Sequence, residues 1–317
     1  MAVLWLVLGL VALVGGAEVV VKFGTQFARR LHISPIIIGL TVVSIGTSAP
    51  ELAVGIDAML RSQGNLVLGN IVGTNIVNLF LILGLSAAIR PIIIRRSTLK
   101  LDLPAMIGAS ILLWLLTLNG FLYTWTGLVL IIPGAIYMWR VVATAKTREQ
   151  VVVAEDDDPP PPPGVKWGLL EVALLVVGIA VIVVGADWLV SGAVAIATAL
   201  GVSDTIIGLT IVAIGTSAPE LATTIMATIR GKRAIAIGNL LGSSTLNLTF
   251  ILGISLLFGP HAVAVDRSLI TINLPIMVAV AVLCIPIFVS SKKISRWEGV
   301  LMVSSYLVYL TYLIISA

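Results

Sequence analysis

Charge is scarce in this chain. Of 317 residues only 11% are Asp, Glu, Lys or Arg, and 59% are hydrophobic. A soluble domain averages about 25% charged residues. The missing charge excludes an ordinary soluble fold, because the apolar excess is arranged in runs of roughly 20 residues, long enough to cross about 30 Å of hydrocarbon. Cysteine is nearly absent as well. Cys284 is alone, so an internal disulfide is impossible, and with only His32 and His261 beside it no thiolate or imidazole metal site can be assembled. No basic stretch precedes the apolar run from Met1 to Val14, which continues towards Val21 and reads as a first span rather than a cleaved leader. The ten-residue alternation of a membrane barrel is also missing. A net charge of +4 does not indicate a nucleic-acid partner, since the basic residues stand at the ends of apolar runs.

What remains is an all-α membrane protein whose solvent is the lipid bilayer, because helices satisfy their own backbone there. Ten spans are predicted, at roughly 2–27, 35–60, 66–89, 101–118, 123–142, 167–196, 205–229, 235–258, 267–290 and 297–315. Trp5, Trp125, Trp139, Trp167 and Trp297 fall near span ends, as interfacial anchors do. Between spans five and six, residues 143–166 carry the acidic run Glu155–Asp158 and then Pro159–Pro163, the composition of an extended linker. With the N-terminus outside, seventeen of the nineteen basic residues fall in inside loops, leaving Arg61 and Arg267 outside. Lys and Arg concentrate on the cytoplasmic side, so both termini are expected outside the cell membrane and the linker in the cytoplasm.

Self-similarity divides the chain. At an offset of 169 residues, Ile38–Ala53 (IGLTVVSIGTSAPELA) and Ile207–Ala222 (IGLTIVAIGTSAPELA) match at fourteen of sixteen positions. Gly69–Gly84 (GNIVGTNIVNLFLILG) and Gly238–Gly253 (GNLLGSSTLNLTFILG) match at eight of sixteen. The expected organisation is a first five-helix repeat over 1–142 with its motif at 38–84, the linker 143–166, and a second repeat over 167–317 with its motif at 207–253. Five spans is an odd number, so the second repeat is inverted relative to the first. Inverted repeats place a transport site at their interface near the midplane.

The motif itself names a chemistry. Pro50, in Gly46-Thr47-Ser48-Ala49-Pro50-Glu51, offers no N–H to Gly46, and its ring clashes with that carbonyl. A helix break is expected here, freeing carbonyls from about Ser44 to Thr47. Thr47 and Ser48 add hydroxyls, and Ser48 is placed to cap the following half-helix. Gly215-Thr216-Ser217-Ala218-Pro219-Glu220 repeats the device and frees carbonyls near Ala213. A carboxylate at the bilayer centre costs at least about 2.5–3.5 kcal/mol. Glu51 and Glu220 have no mid-span basic residue to pair with, which makes a cation their partner. An all-oxygen donor set suits a hard ion, and Ca2+ takes about 6–8 oxygens. Asn75 offers an amide oxygen, and Ser244 is its repeat mate. Gly69 with Gly73 and Gly238 with Gly242 allow close helix approach. Asn70, Asn78, Asn239 and Asn247 are expected to hydrogen-bond between helices.

The paired GTSAPE and GNxxG blocks resemble the two α-repeats of the sodium/calcium exchanger family, and without a large domain in the linker the chain is similar to the short prokaryotic form. The resemblance implies alternating access with Ca2+ and Na+ competing for overlapping sites. Glu51 and Glu220 match the family's bridging carboxylates, Thr47, Ser48, Thr216 and Ser217 its polar ligands, and the carbonyls of Ser44 and Ala213 its Na+ contacts. The first and sixth spans match the pair that slides past a fixed core. Where many exchangers carry Asn in one repeat and Asp in the other, this chain has Asn75 and Ser244, which removes an acidic group. Two carboxylates balance one Ca2+, two Na+ or two protons, so H+ remains open as a counter-ion. A cation channel is the alternative from another class, distinguished by current without a counter-ion gradient. No nucleophile–base pair suggests an enzyme and no resident cofactor is implied. A monomer is compatible with the pattern.

Overall fold

The computed structural model describes residues 1–145, 165–201, 213–290 and 292–316. Most of the linker 143–166 and the start of the 207–253 motif therefore lie outside the described residues. Helices α1 (Ala2–Arg30), α4 (Gly64–Ile89), α5 (Thr98–Thr117), α6 (Thr124–Ala143), α7 (Val165–Ala199), α10 (Arg233–Phe258), α11 (Leu269–Ser290) and α12 (Arg296–Ser316) are each long and apolar enough to span a bilayer. A further span is broken into α2 (Pro35–Thr47) and α3 (Ala49–Leu60), bent by 42°. Its counterpart is described from α8 (Ala213–Thr216) through α9 (Ala218–Ile229).

Among the described residues four short strands, below the length at which sequence alternation is legible, join the span ends. Strand β1 (Ile92–Ile93) pairs antiparallel with β4 (Lys293–Ile294), and β2 (Phe121–Tyr123) pairs with β3 (Ala262–Ala264). Each ribbon joins one repeat to the other. Paired strands must lie on the same side of the bilayer, so an even number of crossings separates them. Between β2 and β3 run α6, α7 and α10, and the count becomes even only if the chain also crosses once between α7 and α10. The α8–α9 segment supplies that crossing. Ten spans follow, and the two ribbons lie on opposite faces.

The repeat is also visible in how helices end. After α3, Ser62 takes a positive φ of 60° and the Gln63 amide reaches back to Ala58 O at 2.8 Å. After α9, Gly231 takes φ 74° and the Lys232 amide reaches back to Ala227 O at 2.8 Å. These are Schellman closures, in which a left-handed residue lets the chain satisfy the last carbonyls. Glycine adopts that conformation without the steric cost Ser62 bears.

Burial ranks the layers. Over the 18-residue membrane-crossing stretch of each helix, 83% of positions are buried in α10 and 72% in α4, against 28% in α1 and 17% in α12. The GNxxG helices are thus the centre, and α1 and α12 face lipid. Glycines set the closest approaches. A Cβ on Gly39 would lie 2.7 Å from Ile235 O, and one on Gly238 would lie 2.6 Å from Ile36 O, so α2 and α10 meet backbone to backbone. The close-approach reading therefore holds for Gly238 and Gly242. Gly69 and Gly73 have no such neighbour: a Cβ on either would meet nothing within 4 Å among the described residues. Gly84 of α4 meets Gly299 of α12 as Gly253 of α10 meets Gly127 of α6. A longer glycine seam joins α1 to α7, where Gly9 and Gly16 meet Gly185 and Gly178. At one end of that seam Arg30 grips the buried Glu171 with Nε and Nη2, both at 2.7 Å. The two helices form one slab beside the core.

Candidate cation site

Both half-helix breaks have the same backbone. Ser48 sits at φ −88°, ψ 6° and Ser217 at φ −89°, ψ 6°, each immediately before a helix with proline in its first turn. Proline fits there because first-turn amides have no helical partner to lose. The following turn puts Glu51 and Glu220 at the N-terminal ends of α3 and α9. Those ends attract negative charge, since unpaired amides give them a partial positive charge.

The chain does not unwind as far as the sequence suggests. Ser44 O still accepts the Ser48 amide at 3.0 Å, one helical turn beyond the expected break, and also faces the Thr47 hydroxyl at 3.4 Å. The carbonyl that proline chemistry must leave without its helical donor is Gly46. Ser48 does not cap α3 either; no side chain caps that helix. Its hydroxyl instead donates across the repeat interface to Glu220 Oε1 at 3.2 Å. A carboxylate is a stronger acceptor than a backbone carbonyl, and a charge-assisted bond outweighs a cap.

Both acids are buried. Glu51 is 1% and Glu220 0% exposed. Ser48, three residues before Glu51, touches Glu220, which brings the two helix breaks and their acids to one contact. Both Glu51 oxygens and Glu220 Oε2 are buried without a hydrogen-bond partner among the described residues. The same holds for Ser217 Oγ, Ser244 Oγ and Asn75 Oδ1, while Asn75 Nδ2 is held by Ile71 O at 2.7 Å, which fixes the amide with its oxygen unpaired. Thr47 Oγ1 lies 3.3 Å from Asn239 Oδ1 and 3.4 Å from Ser243 Oγ. Ser44 Oγ is turned away, donating to Gly39 O at 2.5 Å with Asn239 O also at 3.0 Å. Thr216 is half-buried in α8, and Ala213 begins α8 with its side chain outside the described residues.

Of the four asparagines, Asn239 bonds between helices, donating to Thr224 Oγ1 at 3.2 Å. Asn78 and Asn247 do not: their side chains are buried and unpartnered among the described residues. They lie in the first positions of the π-helical turns Val77–Ile82 and Asn247–Ile251, Asn78 second and Asn247 first, where the wider turn displaces them from straight-helix positions. The sequence reading passed over Ser243, which reaches Thr47. Its signal was present: Ser243 is the 169-residue mate of Thr74, so both repeats carry a hydroxyl there.

An all-oxygen set of this kind has the chemistry to replace the water of a hard cation. Buried polar atoms are ordinarily paired, and an orphaned carboxylate is the costliest exception. The other described intramembrane acids are accounted for elsewhere or lie at the surface: Glu171 holds Arg30, Asp102 accepts from Tyr137 at 3.3 Å, and Asp57 pairs with Arg61 at 2.9 Å in an exposed turn. Among the described residues no three acids, histidines or cysteines cluster. The site thus has two carboxylates and is completed by neutral oxygens.

Comparison with known proteins agrees with this architecture. The family model described as sodium/calcium exchanger protein matches residues 1–143 and 170–315. The inner membrane protein YrbG of Escherichia coli is 34% identical over 313 residues, covering 97% of this chain and 95% of its own length. The sodium/calcium exchanger MaX1 of Methanosarcina acetivorans is 33% identical, with 97% of each chain covered. A structure of the sodium-calcium exchanger NCX_Mj soaked with 10 mM Na+ and zero Ca2+ superposes with a TM-score of 0.84 at 29% identity, covering 98% of both chains. With matched helix breaks, a buried glutamate after each, three of their four carboxyl oxygens lacking a partner among the described residues, and a family match across nearly its whole length, this chain belongs to the sodium/calcium exchanger family.

Proposed function

We propose that this protein is a secondary antiporter that exchanges Ca2+ for Na+ by alternating access, with Glu51 and Glu220 as the central ligands. The observation that carries the reading is the pair of Glu51 oxygens, buried beside Glu220 with no protein partner among the described residues. Thr47, Ser48, Thr216, Ser217, Asn75 and Ser244 are the supplementary oxygens, and the carbonyls of Ser44 and Ala213 are the proposed Na+ contacts. Ser44 O accepts the Ser48 amide, and its second lone pair is open to an ion when the Thr47 hydroxyl, 3.4 Å away, turns to Asn239 Oδ1 instead.

Charge sets how the exchange works. Two ionised carboxylates neutralise one Ca2+ or two Na+, so the two loads cannot occupy the site together without a net positive charge in low dielectric. Competition between them follows. The first repeat, 1–142, and the second, 167–317, contribute equally to the site, and α1 and α7, one from each repeat, slide past the fixed core that holds it. The positive-inside pattern supports an inner-membrane protein with both termini outside and the 143–166 linker in the cytoplasm.

The test is flux in reconstituted vesicles. Vesicles loaded with Na+ should accumulate Ca2+, and uptake should stop when the Na+ gradient is collapsed. Uptake driven by a pH gradient alone would replace Na+ with H+ as the counter-ion. Ca2+ current with no counter-ion gradient would make the protein a channel and end the antiport reading.

A further inference from the structure

The repeat duplicates more than the cation ligands. Glu18 of α1 and Asp187 of α7 are 169 residues apart, and so are Arg61 and Arg230, which follow α3 and α9. Repeat symmetry therefore defines two equivalent ion pairs, Glu18–Arg230 near one face and Asp187–Arg61 near the other. The structure holds one of them. Arg230 Nη2 lies 2.7 Å from Glu18 Oε1, and Arg230 Nε donates to Glu18 Oε2 at 2.8 Å. Arg61 turns back instead onto Asp57 of its own helix at 2.9 Å, and Asp187 is exposed with no ion pair among the described residues. Packing has the same asymmetry: α1 lies along α9, but α7 has no comparable packing along α3.

We propose that these two pairs are alternating latches, positioning residues that hold the α1–α7 slab at the two ends of its travel. Glu18–Arg230 fixes the end of travel seen here, and Asp187–Arg61 forms when the slab moves to the other end. In each latch the acid rides on the slab and the arginine stands on the core. The glycine seam and the Arg30–Glu171 fork make α1 and α7 move together, so closing one latch withdraws the other acid from its arginine. Both side chains of the formed pair are substantially exposed, Arg230 at 57% and Glu18 at 36%. Exposed pairs are weak, which suits a contact that must release in every cycle. Asp57 holds Arg61 within its own turn while the second latch is open.

The inference rests on the alternating-access reading but not on which ions are carried. Its test uses two double-cysteine variants in a Cys284→Ala background, Glu18→Cys with Arg230→Cys and Asp187→Cys with Arg61→Cys, reconstituted and treated with a short bifunctional thiol reagent. Both pairs should cross-link, each link should abolish exchange, and reduction should restore it. Cross-linking is read by mass, so it reports on the latches even if the parent fails to exchange Ca2+ for Na+. Linkage at 18–230 with none at 61–187 would overturn the proposal, since a static surface ion pair predicts that result. Charge exchange is the second measurement. Glu18→Arg or Arg230→Glu alone should slow exchange several-fold, and the two together should recover most of it. Singles that transport like the parent, or a pair no better than the singles, would count against the latch.

Discussion

Replacing Glu51 with Gln separates ligand from scaffold, because the carboxylate has no hydrogen bond to lose among the described residues. Without an ion, the ionised side chain costs about 2.5–3.5 kcal/mol or more at mid-membrane. The amide removes that charge but leaves a buried polar group worth about 1–3 kcal/mol of desolvation. The variant should therefore be no less stable than the parent in ion-free buffer, with a gain of about 1 kcal/mol. With Ca2+ the order reverses. Removing one charged partner from a buried pair costs about 3–5 kcal/mol, or roughly a hundredfold to several-thousandfold in affinity at about 1.4 kcal/mol per decade. At a Ca2+ concentration of 100 times the parent Kd, ligation stabilises the parent by about 2.7 kcal/mol. The variant, at or below its own Kd, gains about 0.4 kcal/mol or less. At about 2 °C per kcal/mol for a chain of this size, the parent should melt roughly 5 °C higher with Ca2+ and the variant should barely respond. Thermal unfolding in detergent, with and without Ca2+, measures both halves. A variant that keeps the full Ca2+ shift would show that Glu51 is not a ligand. One that fails to fold without Ca2+ would show that its carboxylate is structural.

Other perturbations probe separate links. Arg30→Ala strands the buried Glu171 and should destabilise the protein by about 3–5 kcal/mol, lowering the melting temperature while the Ca2+ shift persists; loss of the shift would connect that pair to the site. Ser48→Ala removes a hydroxyl bonded to a carboxylate, a contact worth about 1.5–3 kcal/mol; Ca2+ affinity should fall by roughly tenfold or more in a binding titration, and unchanged affinity would confine Ser48 to packing. Gly238→Ala forces a methyl to 2.6 Å from Ile36 O and should cost about 1–3 kcal/mol of stability, whereas Gly15→Ala, with no neighbour within 4 Å, should be neutral or slightly stabilising. Ser244→Asp adds a third negative charge and should change the Na+ dependence or the current carried per Ca2+; identical behaviour would place position 244 outside the ion path.

How much of this was legible depended on whether a property belonged to one helix or to several. Pro50 and Pro219 act on their own helices, so both breaks and the positions of the two glutamates could be read from composition and chemistry alone. The inversion followed from an odd span count, and the strand ribbons now supply a parity argument from other residues. Partner choice was not legible. Ser48 has the composition and position of a cap, yet its hydroxyl goes to Glu220, 172 residues away, because a carboxylate from the other repeat comes within 3.2 Å. Ser44 keeps a helical bond that local chemistry suggested it would lose, since the turn tightens only after Ser48. Asn78 and Asn247 look like interhelical bonders until π-helical turns displace them. Each miss comes from a choice settled by an approaching second helix, and those approaches are set by glycine contacts such as Gly39 with Gly238. The cation site depends on the same contacts. Thr47 reaches Asn239 and Ser243 because α2 and α10 touch backbone to backbone one turn away. An added methyl at that crossing should therefore weaken ion binding as well as packing, by moving oxygens that the substitution does not touch.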